Sequence, residues 1–280
     1  MITNPSTTNK VYVLSGIAPI RKDASDTAEM VTQALLGETL SVHESVERWH
    51  RVTCDFDGYE GWVSVAQVVF FDTEADYQAW TSHPERHRSP FFTYRITRGK
   101  SKQIVPVGAP IVFNGFDVEL PDGRWDVEIT PLQLKEHAII DTAMQFLGVP
   151  YLWGGRTDSG IDCSGYIQMV YSLHHYDLPR DASQQFKFAP LKESMAIEDM
   201  EYGDVVYFHG KQSKNITHVG FYLGDGKILH ASGNVQIQLI DPKRKATSRY
   251  EFNEALSKRI AGVQSNRDIK AAAIQLLQES

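Results

Sequence analysis

The chain has little cysteine: two in 280 residues, 109 positions apart. No CxxC pair and no Cys/His finger spacing occur, which excludes a disulfide framework and a structural zinc site. His83 and His87 stand four apart, but no third ligand is near, so neither a metal nor another cofactor is expected. No run approaches the length of about 18 apolar residues that would suggest a transmembrane helix. The opening stretch MITNPSTTNKVYVLSG has no basic segment followed by an apolar run. That pattern predicts a soluble, cytoplasmic protein without an export signal or a membrane partner. Positive charge is in deficit, with 28 Lys and Arg against 35 Asp and Glu and a net charge of −7. Nucleic acid is not an expected partner, because counterion release needs clustered cations, and PKRKA at 242–246 is too short to supply them.

What remains is a globular composition, 42% hydrophobic and 22% charged. The pattern divides the chain. Residues 9–71 read as short strands, KVYVLSG, ETLSVHESV, RWHRVTC and GWVSVAQVVFF, separated by Gly, Asp and Glu. AEMVTQALLGE (28–38) is read with them rather than as a helix. Such spacing suggests a small barrel. VTQALLGE and DGYEGWV resemble the recurring elements of a bacterial SH3-like domain. Residues 72–87 read as a short helical or irregular connection. Residues 88–130 return to strand-like runs with a hairpin at PDG (121–123), as a second, divergent SH3-like barrel. From 131 to 265 the order changes to helix, Gly-rich loop, helix and antiparallel strands, an α+β domain. Its first helix is expected across LQLKEHAIIDTAMQFLGV, with Leu134, Ala138, Ile139, Ala143, Met144 and Leu147 near one face. Residues 266–280 read as a surface helix.

The chemistry centres on GVPYLWGGRTDSGIDCSGYIQMVY, residues 148–171. Asp162 is a good N-cap, and Ile167, Val170 and Tyr171 recur at helical spacing, so Cys163 falls in a first helical turn. Free N–H groups and the helix dipole there favour a thiolate and predict a lowered pKa. A lone cysteine is more often a small buried hydrophobe. Cys54, in RVTCDF, fits that description; Cys163, among Asp, Ser and Gly, does not.

A nucleophilic thiol needs a base, and the base an orienting group. His218 and His230 flank a Gly-Asp-Gly turn in HVGFYLGDGKILHASG. A two-residue loop without a bulge would put them on opposite faces of the sheet, but a three-residue loop centred on Gly224 would set them directly opposite on one face. His218 would then meet the thiol while His230 holds its tautomer. The Cys163 N–H is one oxyanion donor. Tyr151 is either a phenolic second donor or a packing aromatic.

PYLWGG (150–155), DCSG (162–165), LPRDASQQ (178–185), GDVVYF (203–208), HVGFYLG (218–224) and ILHASG (228–233) together resemble the NlpC/p60 family of papain-like cysteine peptidases. The resemblance implies Cys163 as nucleophile, His218 as general base, His230 as orienting residue and Tyr151 near the oxyanion. It implies a papain-like catalytic domain behind two small all-β SH3-like barrels, and hydrolysis of amide bonds in peptidoglycan stem peptides. The domain order looks like the YkfC-type γ-D-glutamyl-L-diamino acid endopeptidases, which process free murein peptides with an N-terminal L-Ala. For such a substrate, Asp181 is the candidate partner of the free amine, and Arg180 and Ser164 of the glutamate α-carboxylate. Asp162 and Trp153, in the nucleophile and glycine motifs, join the substrate-binding set. Tyr59 and Glu29 are implied at the amine end. Ala182 departs from the Ser or Thr often found there, unless Ser183 takes over in a shifted register. A secreted hydrolase of intact wall, a non-catalytic wall-binding protein and an acyl transferase are the alternatives.

Overall fold

Ala18 and Ile20, Val52 and Cys54 are buried at every second position of their runs, which is the period of a pleated strand with one face inward, while Val11, Tyr12 and Val13 are all buried. In the computed structural model, which describes residues 8–128, 132–134, 138–246 and 248–279, these runs form one antiparallel sheet. Its strands are β1 (Lys10–Val13), β2 (Ile17–Arg21), β3 (Met30–Leu35), β4 (Thr39–Val46), β5 (Trp49–Cys54), β6 (Glu60–Ser64) and β7 (Val68–Phe70). They follow the order β3-β2-β6-β5-β4-β1-β7 around an aliphatic core that contains the Cys54 side chain.

Helix α1 (Glu74–Thr81) follows. Thr73 begins it by a reciprocal cap: Asp76 N–H donates to Thr73 Oγ1 (3.2 Å) and Thr73 N–H to Asp76 Oδ2 (3.0 Å). A second antiparallel sheet contains β8 (His87–Arg88), β9 (Tyr94–Arg98), β10 (Ser101–Val105), β11 (Pro110–Phe113), β12 (Asp117–Leu120) and β13 (Gly123–Val127). Its order is β10-β9-β13-β12-β11-β8. Leu120 pairs with Gly123, so Pro121 and Asp122 form the expected hairpin turn.

The chain divides into two compact units, residues 1–134 and 135–280. The first contains both sheets. The expected border at 130/131 lies outside the described residues. In the second unit the first helix is shorter than the periodicity suggests: α2 spans Ile139–Met144. Leu134 stands before it, beside Gln133, which forms a bridge to Phe91; residues 135–137 of the expected helix lie outside the described residues. An apolar spacing that persists through a bridging residue cannot distinguish helix from approach, and here pairing overrode it.

Short strands β14 (Arg156–Thr157) and β15 (Gly160–Ile161) then lead into α3 (Cys163–Leu173), all eleven residues of which are buried. After α4 (Ala182–Phe188) come β16 (Val205–His209), β17 (Ile216–Tyr222), β18 (Lys227–Ser232) and β19 (Asn234–Leu239). The short helix α5 (Glu254–Ser257), β20 (Ile260–Gln264) and α6 (Asn266–Glu279) complete the unit. The sheet order is β19-β18-β17-β16-β20, antiparallel throughout. β19 and β20 lie outside the strands expected from the sequence.

Helix α3 packs on β17. Phe221 of β17 lies edge-on to Tyr166 (5.7 Å between centroids) and stacked with Tyr171 (6.0 Å). Each such ring, buried in full, contributes about 1.5–3 kcal/mol. The Tyr166 hydroxyl also donates to Ala143 O at 2.7 Å, tying α2 to the helix. This packing holds the first turn of α3 in register with β17.

Candidate active site

Asp162 has extended backbone (φ −94°, ψ 177°) and caps α3, its Oδ1 accepting from Gly165 N–H at 2.7 Å. Cys163 is therefore the first helical residue, as the sequence implied. Gly165 is required by a close approach: a Cβ there would lie 2.3 Å from Gly155 O, so the glycine loop can rest against the first turn. The thiol lies 4.0 Å from Thr217 O, and the amides of Val219 and Ser164 also face the sulfur. Cys163 thus sits beside the backbone segment that contains His218.

The expected low thiol pKa is not found. Burial pushes it up to about 12, Asp162 adds to the rise, and Arg180 with the two amides pulls down without reversing it. Magnitudes explain the outcome. A helix terminus contributes at most about 2 kcal/mol, or roughly one and a half pKa units, whereas full burial can move a group by about 3–5.

The hairpin of β17 and β18 pairs Phe221 with Leu229 and Tyr222 with Ile228. Its loop is therefore centred on Asp225 rather than Gly224. Three successive residues, Gly224, Asp225 and Gly226, take positive φ (75°, 53°, 71°), and this lengthens the loop. His218 and His230 still share a face, because the displacement is two residues, but they meet diagonally. Gly220 stands opposite His230, where a Cβ would come within 2.9 Å of the His230 Cβ. The missing side chain clears the diagonal, and His218 Nε2 lies 2.7 Å from His230 Nδ1 with the rings edge-on at 86°. His230 Nε2 in turn lies 3.0 Å from Gln238 Oε1. Desolvation lowers His218 to about 3, helped by His230 and Arg259, and lowers His230 to about 4. Near neutrality the thiol and both imidazoles are uncharged.

Residues 148–255 match the NlpC/P60 family, and residues 20–68 match a bacterial dipeptidyl-peptidase SH3 domain. The chain is 33% identical over 219 residues to a γ-D-glutamyl-L-lysine dipeptidyl-peptidase of Bacillus subtilis, covering 71% of each chain. The chain belongs to the NlpC/P60 family. A Bacillus cereus protein of the same name is 25% identical over 259 residues, covering 81% of this chain and 76% of its own. Among solved structures, an NlpC/P60 protein from Bacillus cereus superposes with a TM-score of 0.72 over 91% of this chain and 98% of its own, at 20% identity. The two matched segments agree with an SH3-type β domain ahead of a papain-like NlpC/P60 domain, in a cysteine peptidase related to peptidoglycan chemistry.

In this NlpC/P60 peptidase the other expected residues divide. Tyr151 is half-buried on a bridge to Ile161, next to the nucleophile loop. Burial and the proximity of Cys163 and Asp162 raise its pKa above that of a free phenol, so it remains a hydrogen-bond donor. Trp153 is 59% exposed on the glycine loop. Asp181 is half-buried at the start of α4, its backbone N–H donating to Gln184 Oε1 at 3.1 Å. Ala182 is buried in the first turn of α4 and Ser183 is exposed. Tyr59 and Glu29 belong to the other unit. Tyr59 packs against the first β core, while Glu29 is exposed and pairs with Lys22 at 4.0 Å.

Arg180, Ser164 and Asp162 form a buried network beneath the nucleophile. Arg180 is 1% exposed, and its guanidinium forks onto Asp162, Nη1 to Oδ1 at 3.0 Å and Nη2 to Oδ2 at 2.6 Å. Nη1 also donates to Ser164 Oγ (3.0 Å), and that hydroxyl donates to Asp162 Oδ1 (3.3 Å). Asp162 Oδ2 further accepts from Gly154 N–H at 2.9 Å. These three side chains satisfy one another and brace the glycine loop against α3. Gln238 escaped the sequence reading. Its signal was the alternation in NVQIQL, a strand whose glutamines share the face of the histidine strand beside it.

Proposed function

We propose that the protein hydrolyses the amide bond between γ-D-glutamate and the following diamino acid in murein stem peptides with a free N-terminal L-Ala, in cytoplasmic recycling of cell-wall peptides. The reading is supported by the His218–His230 pair and by Cys163 lying against the backbone next to His218, in a chain whose relatives are named γ-D-glutamyl-L-lysine dipeptidyl-peptidases.

With Nε2 engaged by His230, Nδ1 is the nitrogen that His218 offers the thiol. As Sγ attacks the γ-carbonyl carbon, its proton passes to His218 Nδ1 and the carbonyl oxygen becomes an oxyanion. The Cys163 N–H and the Tyr151 hydroxyl are its donors. The imidazolium protonates the leaving amine, the C–N bond breaks and a thioester remains. Water, deprotonated by His218, then releases the acid. The free ammonium of L-Ala meets the Asp181 carboxylate. Arg180 and Ser164, oriented by Asp162, are the candidate partners of the glutamate α-carboxylate.

The test is digestion of a panel of L-Ala-γ-D-Glu-diamino acid peptides with free and acetylated N-termini, beside intact sacculi, with products read by mass spectrometry. Cleavage of the free peptides alone is expected. Equal rates on acetylated peptides or on sacculi would overturn the recycling role.

A further inference from the structure

The His218–His230 contact does not by itself say which nitrogen carries the proton. Two imidazoles joined Nε2 to Nδ1 can share it either way, and only one arrangement leaves His218 Nδ1 bare to receive a proton from Cys163. The direction of such a bond is fixed by the nearest group that can only donate or only accept. Such a group lies three contacts away. Leu256 N–H, a backbone donor, points at Asn253 Oδ1 at 2.9 Å, because Asn253 is the N-cap of α5. With its oxygen so engaged, Asn253 directs Nδ2 to Gln238 Oε1 at 2.7 Å. Gln238 therefore presents an oxygen to His230 Nε2 at 3.0 Å. An oxygen without a proton requires Nε2–H on His230, which leaves His230 Nδ1 bare. His218 must then donate from Nε2 across 2.7 Å.

We infer that Gln238 and Asn253 are positioning residues whose chain of hydrogen bonds from the Leu256 amide fixes the proton of His218 on Nε2 and leaves Nδ1 free as the base. The chain runs through residues that are buried or half-buried, so water is a weak competitor for the same bonds. His230 thus has a stated office: it relays polarity as well as holding the ring. The inference rests on the assignment of Cys163 and His218 as nucleophile and base.

The decisive variant is Asn253→Asp. Aspartate caps a helix as well as asparagine and still accepts from Leu256 N–H, but it turns an acceptor towards Gln238. The Gln238 amide must then rotate and offer its NH2 to both neighbours. His230 Nε2 becomes the acceptor, and both imidazoles change to Nδ1–H. Long-range 1H–15N correlation of the full-length protein with 15N-histidine reads the tautomers directly at neutral pH. The wild type is expected to show Nε2–H on His218 and His230, and Asn253→Asp to show Nδ1–H on both. Its kcat should fall by roughly 10²- to 10⁴-fold, the range for loss of a general base or its correct tautomer, with KM little changed. Gln238→Glu keeps an acceptor at His230 and should retain the wild-type tautomers, whereas Gln238→Met should lose the single tautomer. This pair decides the matter if Asn253→Asp fails to fold.

Nδ1–H on His218 in the wild type overturns the inference. So does a tautomer unchanged in both Asn253→Asp and Gln238→Met. If the wild type shows the expected tautomers but cleaves no murein peptide, the proposed function falls while the positioning role stands.

Discussion

Asp162 and Arg180 face each other as a buried two-point pair, Nη1–Oδ1 3.0 Å and Nη2–Oδ2 2.6 Å, directly beneath the nucleophile's helix turn. Removing one member leaves the other charge buried alone, which costs about 3–5 kcal/mol. Arg180→Met should therefore lower stability by that amount, whereas Asp162→Asn with Arg180→Met should lose less than the two single changes together. Chemical denaturation of the four proteins measures both. A loss below about 1 kcal/mol for Arg180→Met would mean the site does not depend on the pair.

Cys163→Ala should abolish hydrolysis and leave unfolding stability within about 1 kcal/mol, because a small side chain replaces a small side chain at the helix start. Peptide turnover and thermal melting read the two effects. A large stability loss with activity intact would return Cys163 to the role Cys54 plays.

Stability should fall on both sides of neutrality. The folded pKa values of His218 and His230, about 3 and about 4, lie below their ordinary 6.5. The unfolded chain therefore takes up protons first, and the stabilisation present above about 6.5 is lost as pH falls towards the folded values. For Cys163, raised from 9.0 to about 12, the unfolded thiol ionises first, so stability declines as pH rises from 9. Melting temperature against pH should show both limbs. Cys163→Ala should flatten the alkaline one and His218→Ala the acid one.

Gly220→Ala should harm activity through position alone. The new Cβ would lie 2.9 Å from both His230 Cβ and Leu229 O, and neither yields without moving the strand. Overpacking of this kind costs about 1–3 kcal/mol. The diagnostic result is a fall in kcat with the protein still folded. Unchanged kcat would show that the diagonal contact tolerates displacement.

Local rules made much of the site legible. The N-cap at Asp162 and the periodicity after it placed Cys163 at the start of α3, whereas the two histidines would share a face only with an odd loop or a bulge, which the register about Asp225 decided. The same rules offered Arg180 of PRDAS as a partner for a carboxylate but did not reveal that Asp162 is one it meets. A buried partner 18 positions earlier in the chain is not visible to local pattern. They also carried α2 back through Leu134, where pairing of Gln133 with Phe91 intervenes.

By itself the sequence determined which residue types stood at which element ends: a thiol at a helix start, two imidazoles flanking one hairpin turn and glycines where backbone must pass close. Those are properties of a few adjacent residues. Only the tertiary structure decided the protonation of the site. Burial outweighs the helix dipole at Cys163, Arg180 pairs with Asp162, and a backbone amide in α5 governs, through Asn253 and Gln238, the proton on His218. Each depends on desolvation or on partners distant in sequence, because the free energy of a charge is set by everything packed around it.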